Sequence, residues 1–251
     1  MGDKFDLKKA LGLGSLPEIY LEDYGSDLLE EYINTYLREE IMVEALVRNI
    51  ASFSHFLNLA ASISWQELNY TKLASDSEIP KETLRRYLDI LSETLIIKKI
   101  PGYTHIHSSR KAVQKEKFLF FDLGVRNGIL KIQKNRMTND QFGPLFEQWI
   151  VLQVIIFNSY YKKNWSLFYY RDDKKTEIDL IIETSKGIYA IEIKWSEKYR
   201  SQWLEPLQVF RSLHKKKVNL IIVYRGTHQL EEDGIRALPF EKFLMEISTI
   251  L

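Results

Sequence analysis

The chain has 251 residues, 45% of them hydrophobic and 27% charged, with a formal net charge of +1. That composition is globular and long enough for two modest domains. The balanced charge excludes a global field that would draw in nucleic acid, so any such affinity must come from local basic patches.

There is no cysteine, which removes disulfides and thiolate metal sites and suits a reducing compartment. Of the five histidines, only His105 and His107 lie close together, with no third zinc ligand beside them, so they read as hairpin residues. No apolar run reaches the ~18–20 residues of a membrane helix. The first five residues lack a secretory apolar core, and a cytoplasmic protein is expected.

Residues 1–25 are broken repeatedly by Gly12, Gly14, Pro17 and Gly25. From Ser26, a candidate cap, the pattern turns helical. Leu28, Leu29, Tyr32, Tyr36 and Leu37 recur at helical spacing, with Glu30, Glu31, Arg38, Glu39 and Glu40 on the wet side. The helical pattern resumes through Phe53, Phe56, Leu57 and Ala60. Residues 1–63 form a helical region.

A short helix is predicted from Tyr70 to Ala74, then a turn ending at Pro80, a residue suited to a helix start. An amphipathic helix over 81–94 points Leu84, Tyr87, Leu88 and Leu91 inward. Strands are predicted at 95–100 and 118–121, with a Pro101-Gly102 turn and a basic stretch between them. Helix, turn, helix and hairpin is the order of a winged helix-turn-helix, placed at residues 64–121. Its DNA-facing candidates are Lys81, Arg85, Arg86, Lys98 and Lys99, diluted by Glu82 and Asp89. The alternative use of such a module is protein docking.

Residues 122–141 read as a polar connector containing Gly124, Gly128 and Asn135. A helix over 142–161 opens at Pro144. Strands follow at 165–171, 177–183, 188–195 and 218–224, with a helix over 201–213 before the last. A mixed sheet flanked by helices is expected over 142–251. The overall class is α/β, or α+β when the helical N-terminal part is included.

Ser185, Lys186 and Gly187 form a tight turn between two of these strands. A two-residue loop sets Asp179 opposite Glu192, and a turn shifted by one sets it opposite Lys194. Glu192 and Lys194 share a face because they are two apart, so the three side chains converge. Ile191, Ile193 and Trp195 then point into apolar packing. Adjacent carboxylates repel, and one takes up a proton unless a cation lies between them. Mg2+ or Mn2+ is the cation expected there, held by Asp179 and Glu192 with water and a phosphate oxygen. Lys194 orients water or neutralises charge on the phosphate. Glu147 has an apolar helix face for neighbours and is a further candidate catalytic and metal-binding residue. Arg171 and Gln208 are candidate substrate contacts. The bland alternative is a buried salt bridge closing one end of the sheet.

The run from Tyr169-Tyr170-Arg171 through Glu177-Ile178-Asp179 to Ile191-Glu192-Ile193-Lys194 resembles the PD-(D/E)xK nuclease superfamily. More narrowly, nearly the whole chain resembles the region that follows the ATPase core in a bacterial and archaeal family of AAA-type P-loop ATPases. Matching pieces are Gly14-Ser15-Leu16-Pro17, the helix over 32–38, residues 81–88, Phe121-Asp122-Leu123-Gly124 and Leu145-Phe146-Glu147. The resemblance implies a winged helix followed by a restriction-endonuclease-like domain, with Glu147, Asp179, Glu192 and Lys194 as its site. The chain contains no G-x-x-x-x-G-K-[ST] loop, so it carries no ATP site of that kind. The expectation is a DNA-interacting protein with an Mg2+-dependent phosphodiester hydrolase site. A non-catalytic DNA-binding or docking module for an ATPase partner stays open beside it.

Overall fold

The structure, a computed structural model, describes residues 5–37, 50–104, 111–132 and 137–251. His105, His107, Arg38, Glu39, Glu40 and Asn135 lie outside the described residues. The fold is mixed α/β. It divides into a helical unit, Gly2–Lys99 with Lys117–Phe142, and a sheet unit, Ile100–Glu116 with Gly143–Leu251.

In the helical unit, α1 (Leu7–Leu13) is capped by Asp6, whose carboxylate accepts from Lys9 N at 3.0 Å. Helices α2 (Pro17–Leu21) and α3 (Gly25–Glu31) follow, then a π-helical segment over Tyr32–Leu37. Ser26 is not the cap expected of it: α3 already includes Gly25, which lies so close to the Ile19 carbonyl that a Cβ would stand 1.9 Å from it. Next come α4 (Ile50–Ser62), α5 (Tyr70–Ser77) and α6 (Lys81–Glu93). Pro80 precedes α6, with φ fixed for helix entry and no N–H to leave unsatisfied. Leu84, Tyr87, Leu88 and Leu91 are buried on its inner face. They share one apolar core with Phe53, Phe56 and Leu57 of α4, with β1 (Ile97–Ile100) and with β2 (Lys117–Phe120).

The connector expected over 122–141 is corrected by the structure. Residues Leu123–Ile129 form a buried helix, α7, whose Val125 and Ile129 belong to the same core. Asp122 caps it, accepting from Val125 N at 3.1 Å, and also accepts from Ser15 N at 2.6 Å. Asn127 donates to the carbonyls of Leu11 and Gly12. The glycines that read as breakers are contact points: a Cβ on Gly124 would lie 2.0 Å from the Leu13 carbonyl oxygen.

The sheet unit is built on α8 (Asn139–Tyr160) and a six-stranded sheet. The strands are β3 (Ser166–Arg171), β4 (Glu177–Thr184), β5 (Gly187–Lys194), β6 (Val218–Tyr224), β7 (Leu230–Glu232) and β8 (Ile235–Pro239). Their order across the sheet is β3-β4-β5-β6-β8-β7. The first three are antiparallel, β5 and β6 are parallel, β6 and β8 are parallel, and β7 returns antiparallel to β8. A 3-10 turn (Ser201–Trp203) and α9 (Leu204–Ser212) carry the crossover from β5 to β6. Leu204, Leu207 and Phe210 of α9 pack on Ile181, Ala190, Leu220 and Ile222 of the sheet. Helices α10 (Phe240–Met245) and α11 (Ile247–Ile250) end the chain. Helix α8 starts a turn earlier than expected and takes Pro144 inside it.

The described residues between β1 and β2 fall in the sheet unit and pair with β3 and the residue after it. Gly102 bridges Tyr169, and Ala112 bridges Asp172. Tyr103 N donates to Tyr169 O at 2.7 Å, and Val113 N donates to Arg171 O at 2.8 Å. These segments cover part of the edge of β3, where unpaired backbone groups would otherwise face water.

Candidate active site

The β4–β5 hairpin has the register of the two-residue loop. Leu180 pairs with Ile191, Ile181 with Ala190 and Thr184 with Gly187. One further step in that register sets Asp179 opposite Glu192. The ladder gives way there: Asp179 Oδ2 accepts the N–H of Ile193 at 2.7 Å, so a side chain receives a backbone donor at the end of the ladder. Both carboxylates are buried, Asp179 at 7% and Glu192 at 6% exposure.

Lys194 completes the cluster by donating from Nζ to Glu192 Oε1. The other oxygen, Glu192 Oε2, is buried and has no hydrogen-bond partner among the described residues. A buried acceptor in that state costs about 1–3 kcal/mol unless a cation or donor reaches it. Burial, then the Asp179 charge, pushes the Glu192 carboxyl up to about 8, against the smaller downward pull of Lys194; Glu177 adds a further upward push. Burial alone would lower the Lys194 ammonium, but Asp179 and Glu192, with Glu147 behind them, hold it above its ordinary value.

Glu147 is half-buried on α8, and its charge is felt at Lys194. Arg171 pairs in register with Glu177 at the end of the β3–β4 ladder, which brings it to the edge of the same cluster. Gln208 goes elsewhere: its amide donates to Asp233 Oδ2 at 2.9 Å beside the β7–β8 turn. Glu177 is the site residue that sequence reasoning did not single out. Its signal was present, since it stands two residues before Asp179 and alternation puts both on one face. As expected of the opposite face, the Trp195 ring meets Phe146 at 5.5 Å.

Among the described residues no group of three or more His, Cys, Asp or Glu side chains is gathered tightly enough to hold a metal. The donors present are two hard carboxylates, one with a buried oxygen left over. Mg2+ takes one or two protein carboxylates and completes its octahedron with water and phosphate oxygens, so this donor set fits it. The same set lacks the nitrogen or sulfur donors that zinc prefers.

In the helical unit, Lys81, Arg85, Arg86 and Lys98 are exposed and Lys99 is half-buried. Two of the five are neutralised locally. Arg85 pairs with Glu82 at 3.3 Å and lies over the Tyr70 ring, and Lys99 pairs with Asp89 at 2.6 Å.

The profile of the domain of unknown function DUF8612 matches residues 4–136, more than half of the chain. The chain belongs to the DUF8612 family. The DUF8612 match covers the helical unit together with the segment that crosses to the β3 edge, and a second domain of unknown function, DUF4143, matches residues 142–243, the sheet unit with the site. This DUF8612 chain is similar to an uncharacterized protein of Mycobacterium tuberculosis, 26% identical over 223 residues, covering 85% of this chain and 47% of that protein. It is also similar to an uncharacterized protein of Methanocaldococcus jannaschii, 23% identical over 254 residues, covering 94% of this chain and 55% of the relative. The DUF8612 chain thus spans about half the length of the curated relatives it matches. Among its described residues no helix is long and apolar enough to cross a membrane.

Proposed function

We propose that this chain is a DNA-interacting protein whose sheet unit hydrolyses a phosphodiester with the help of Mg2+ or Mn2+. The observation that carries the reading is Glu192 Oε2, a buried carboxylate oxygen without a hydrogen-bond partner among the described residues, beside Asp179 and Lys194. Asp179 and Glu192 would hold the cation, and Glu147 approaches from α8. Bound Mg2+ supplies a Lewis acid toward the phosphate and a more acidic water. Lys194, held cationic by the surrounding carboxylates, stabilises negative charge on the phosphate oxygens as they accumulate it. Asp179 has its orientation set by the Ile193 N–H, so less reorganisation is needed on binding. The test is cleavage of single- and double-stranded DNA with Mg2+ or Mn2+, expected to vanish in Glu192→Ala and Lys194→Ala. Intact DNA across metals and strand forms removes the hydrolase reading.

A second reading is a non-catalytic DNA-binding or docking module that works with an AAA-type ATPase. It is supported by the length of the relatives, about twice the span matched, and by the lack, among the described residues, of three or more His, Cys, Asp or Glu side chains gathered tightly enough to hold a metal. In that reading DNA binding survives Glu192→Ala and weakens when Arg85, Arg86, Lys98 and Lys99 are neutralised.

A further inference from the structure

Beyond Lys194 the chain builds a second cationic group. Lys194 on β5 pairs in register with Tyr224 on β6, so the next residues along each strand are Trp195 and Arg225. With strands ~4.8 Å apart and ~3.3 Å per residue, the Arg225 backbone lies about 6 Å from that of Lys194. The Arg225 guanidinium carbon is 3.7 Å from the centroid of the Trp195 ring. Its Nη2 donates to Glu197 Oε1 at 2.7 Å. Its backbone N donates to Ser196 O at 3.0 Å. Among the described residues the guanidinium makes no other hydrogen bond, so Nε and Nη1 keep their donors available. The side chain is 22% exposed, part-covered but open to solvent.

The support is rigid on each side. The Trp195 ring is wedged against Phe146, the residue before Glu147 on α8. Gly226 follows Arg225 where a Cβ would lie 2.1 Å from the Tyr224 ring and 2.8 Å from the Glu197 carbonyl oxygen. The loop is thereby pressed onto the segment that carries Glu197. A guanidinium stacked on an aromatic ring and anchored through one nitrogen loses little freedom when its remaining N–H groups bind. Nε and Nη1 lie on different sides of the guanidinium, so each offers its own N–H to a phosphate oxygen. The partly compensated charge near a site already carrying Lys194 suits a polyanion better than a neutral ligand.

We propose that Arg225, stacked on Trp195, grips a backbone phosphate of the DNA strand next to the one at Lys194. This rests on the phosphodiester reading of the site and adds to it a residue that positions the strand. The test measures binding of a short fluorescein-labelled DNA duplex by anisotropy across a salt series without metal, and cleavage with Mg2+ separately. In Arg225→Gln the slope of log affinity against log salt is expected to fall by about 1, and affinity at low salt about tenfold. Should that variant not fold, Arg225→Lys carries the test: an unchanged slope with affinity weakened several-fold supports the grip, and wild-type affinity overturns it. A slope in Arg225→Gln equal to wild type overturns it even if the protein cleaves DNA. A reduced slope without cleavage supports it and removes the hydrolase reading instead. Failure of the wild-type protein to bind DNA overturns it outright.

Discussion

Lys194 and Glu192, two residues apart on β5, form an ion pair that uses only one oxygen of the carboxylate. The other oxygen is buried without a hydrogen-bond partner among the described residues while Asp179 presses its charge on the same group. A salt bridge made only for stability would satisfy its own acceptors, since a half-satisfied buried network is costly. The arrangement is instead short of one positive ligand.

That shortage has a pH signature. The Glu192 carboxyl is raised from 4.5 to about 8 in the folded chain, so between those values the folded state binds more protons than the unfolded one. Stability present at low pH is therefore lost as pH rises through that window, by at most about 1.4 kcal/mol per pH unit. Thermal melts from pH 5 to pH 9 should show this fall in wild type and a flatter profile in Glu192→Gln. Parallel profiles would place the burden on another group.

Asp179 has a structural duty that Glu192 lacks. In Asp179→Ala the Ile193 N–H loses its acceptor within a buried strand, at a cost of about 1–3 kcal/mol. In Asp179→Asn the amide oxygen can keep that bond while the negative charge is gone. Denaturant melts should therefore separate the two variants, with the alanine the less stable, and both should lose divalent-cation binding. Equal stability of the two would deny the bond its importance.

The helical unit makes its own demand at Gly124. A Cβ there would collide with the Leu13 carbonyl, a backbone atom that cannot swing away. Gly124→Ala is expected to cost about 1–3 kcal/mol. Asp122→Ala, which strands the donors of Ser15 and Val125, should cost a similar amount. Urea titrations give both values, and a change within about 0.5 kcal/mol in either would be the wrong result.

Among the basic residues of the winged-helix segment, those already paired should matter least for DNA. Lys99 is tied to Asp89, whereas Arg86 and Lys98 are exposed and form no ion pair among the described residues. Replacing Arg86 and Lys98 together by glutamine should lower the salt slope of DNA binding by about 2, and Lys99→Gln should lower it by less. A larger loss in Lys99→Gln would reverse this ranking.

The hairpin of the site was legible because its grammar is local. Alternation and the Ser185-Lys186-Gly187 turn leave two registers, with Asp179 opposite Glu192 or opposite Lys194, and the observed pairs follow the first. Helix α6 was legible through Pro80 and its apolar stripe. Helix α7 was not, because Gly124 and Gly128 look like breakers until Leu13, Leu29 and Ile33 are seen packed against them. Strands β7 and β8 and the closing helices were also missed. β7 is short and exposed, and β8 carries Arg236 and ends at Pro239, residues that argue against a buried strand until its neighbour β6 is in place. The bonds that Tyr103 and Val113 make to β3 were not legible, because nothing local reveals a partner roughly 60 residues away in sequence.

The most direct measurement is Mn2+ binding followed by electron paramagnetic resonance, comparing wild type with Glu192→Ala. The expected result is a bound ion whose signal shows protein coordination in wild type and free Mn2+ alone in the variant. Free Mn2+ alone in wild type at saturating concentration, or binding unchanged in Glu192→Ala, would contradict a cation site at Glu192.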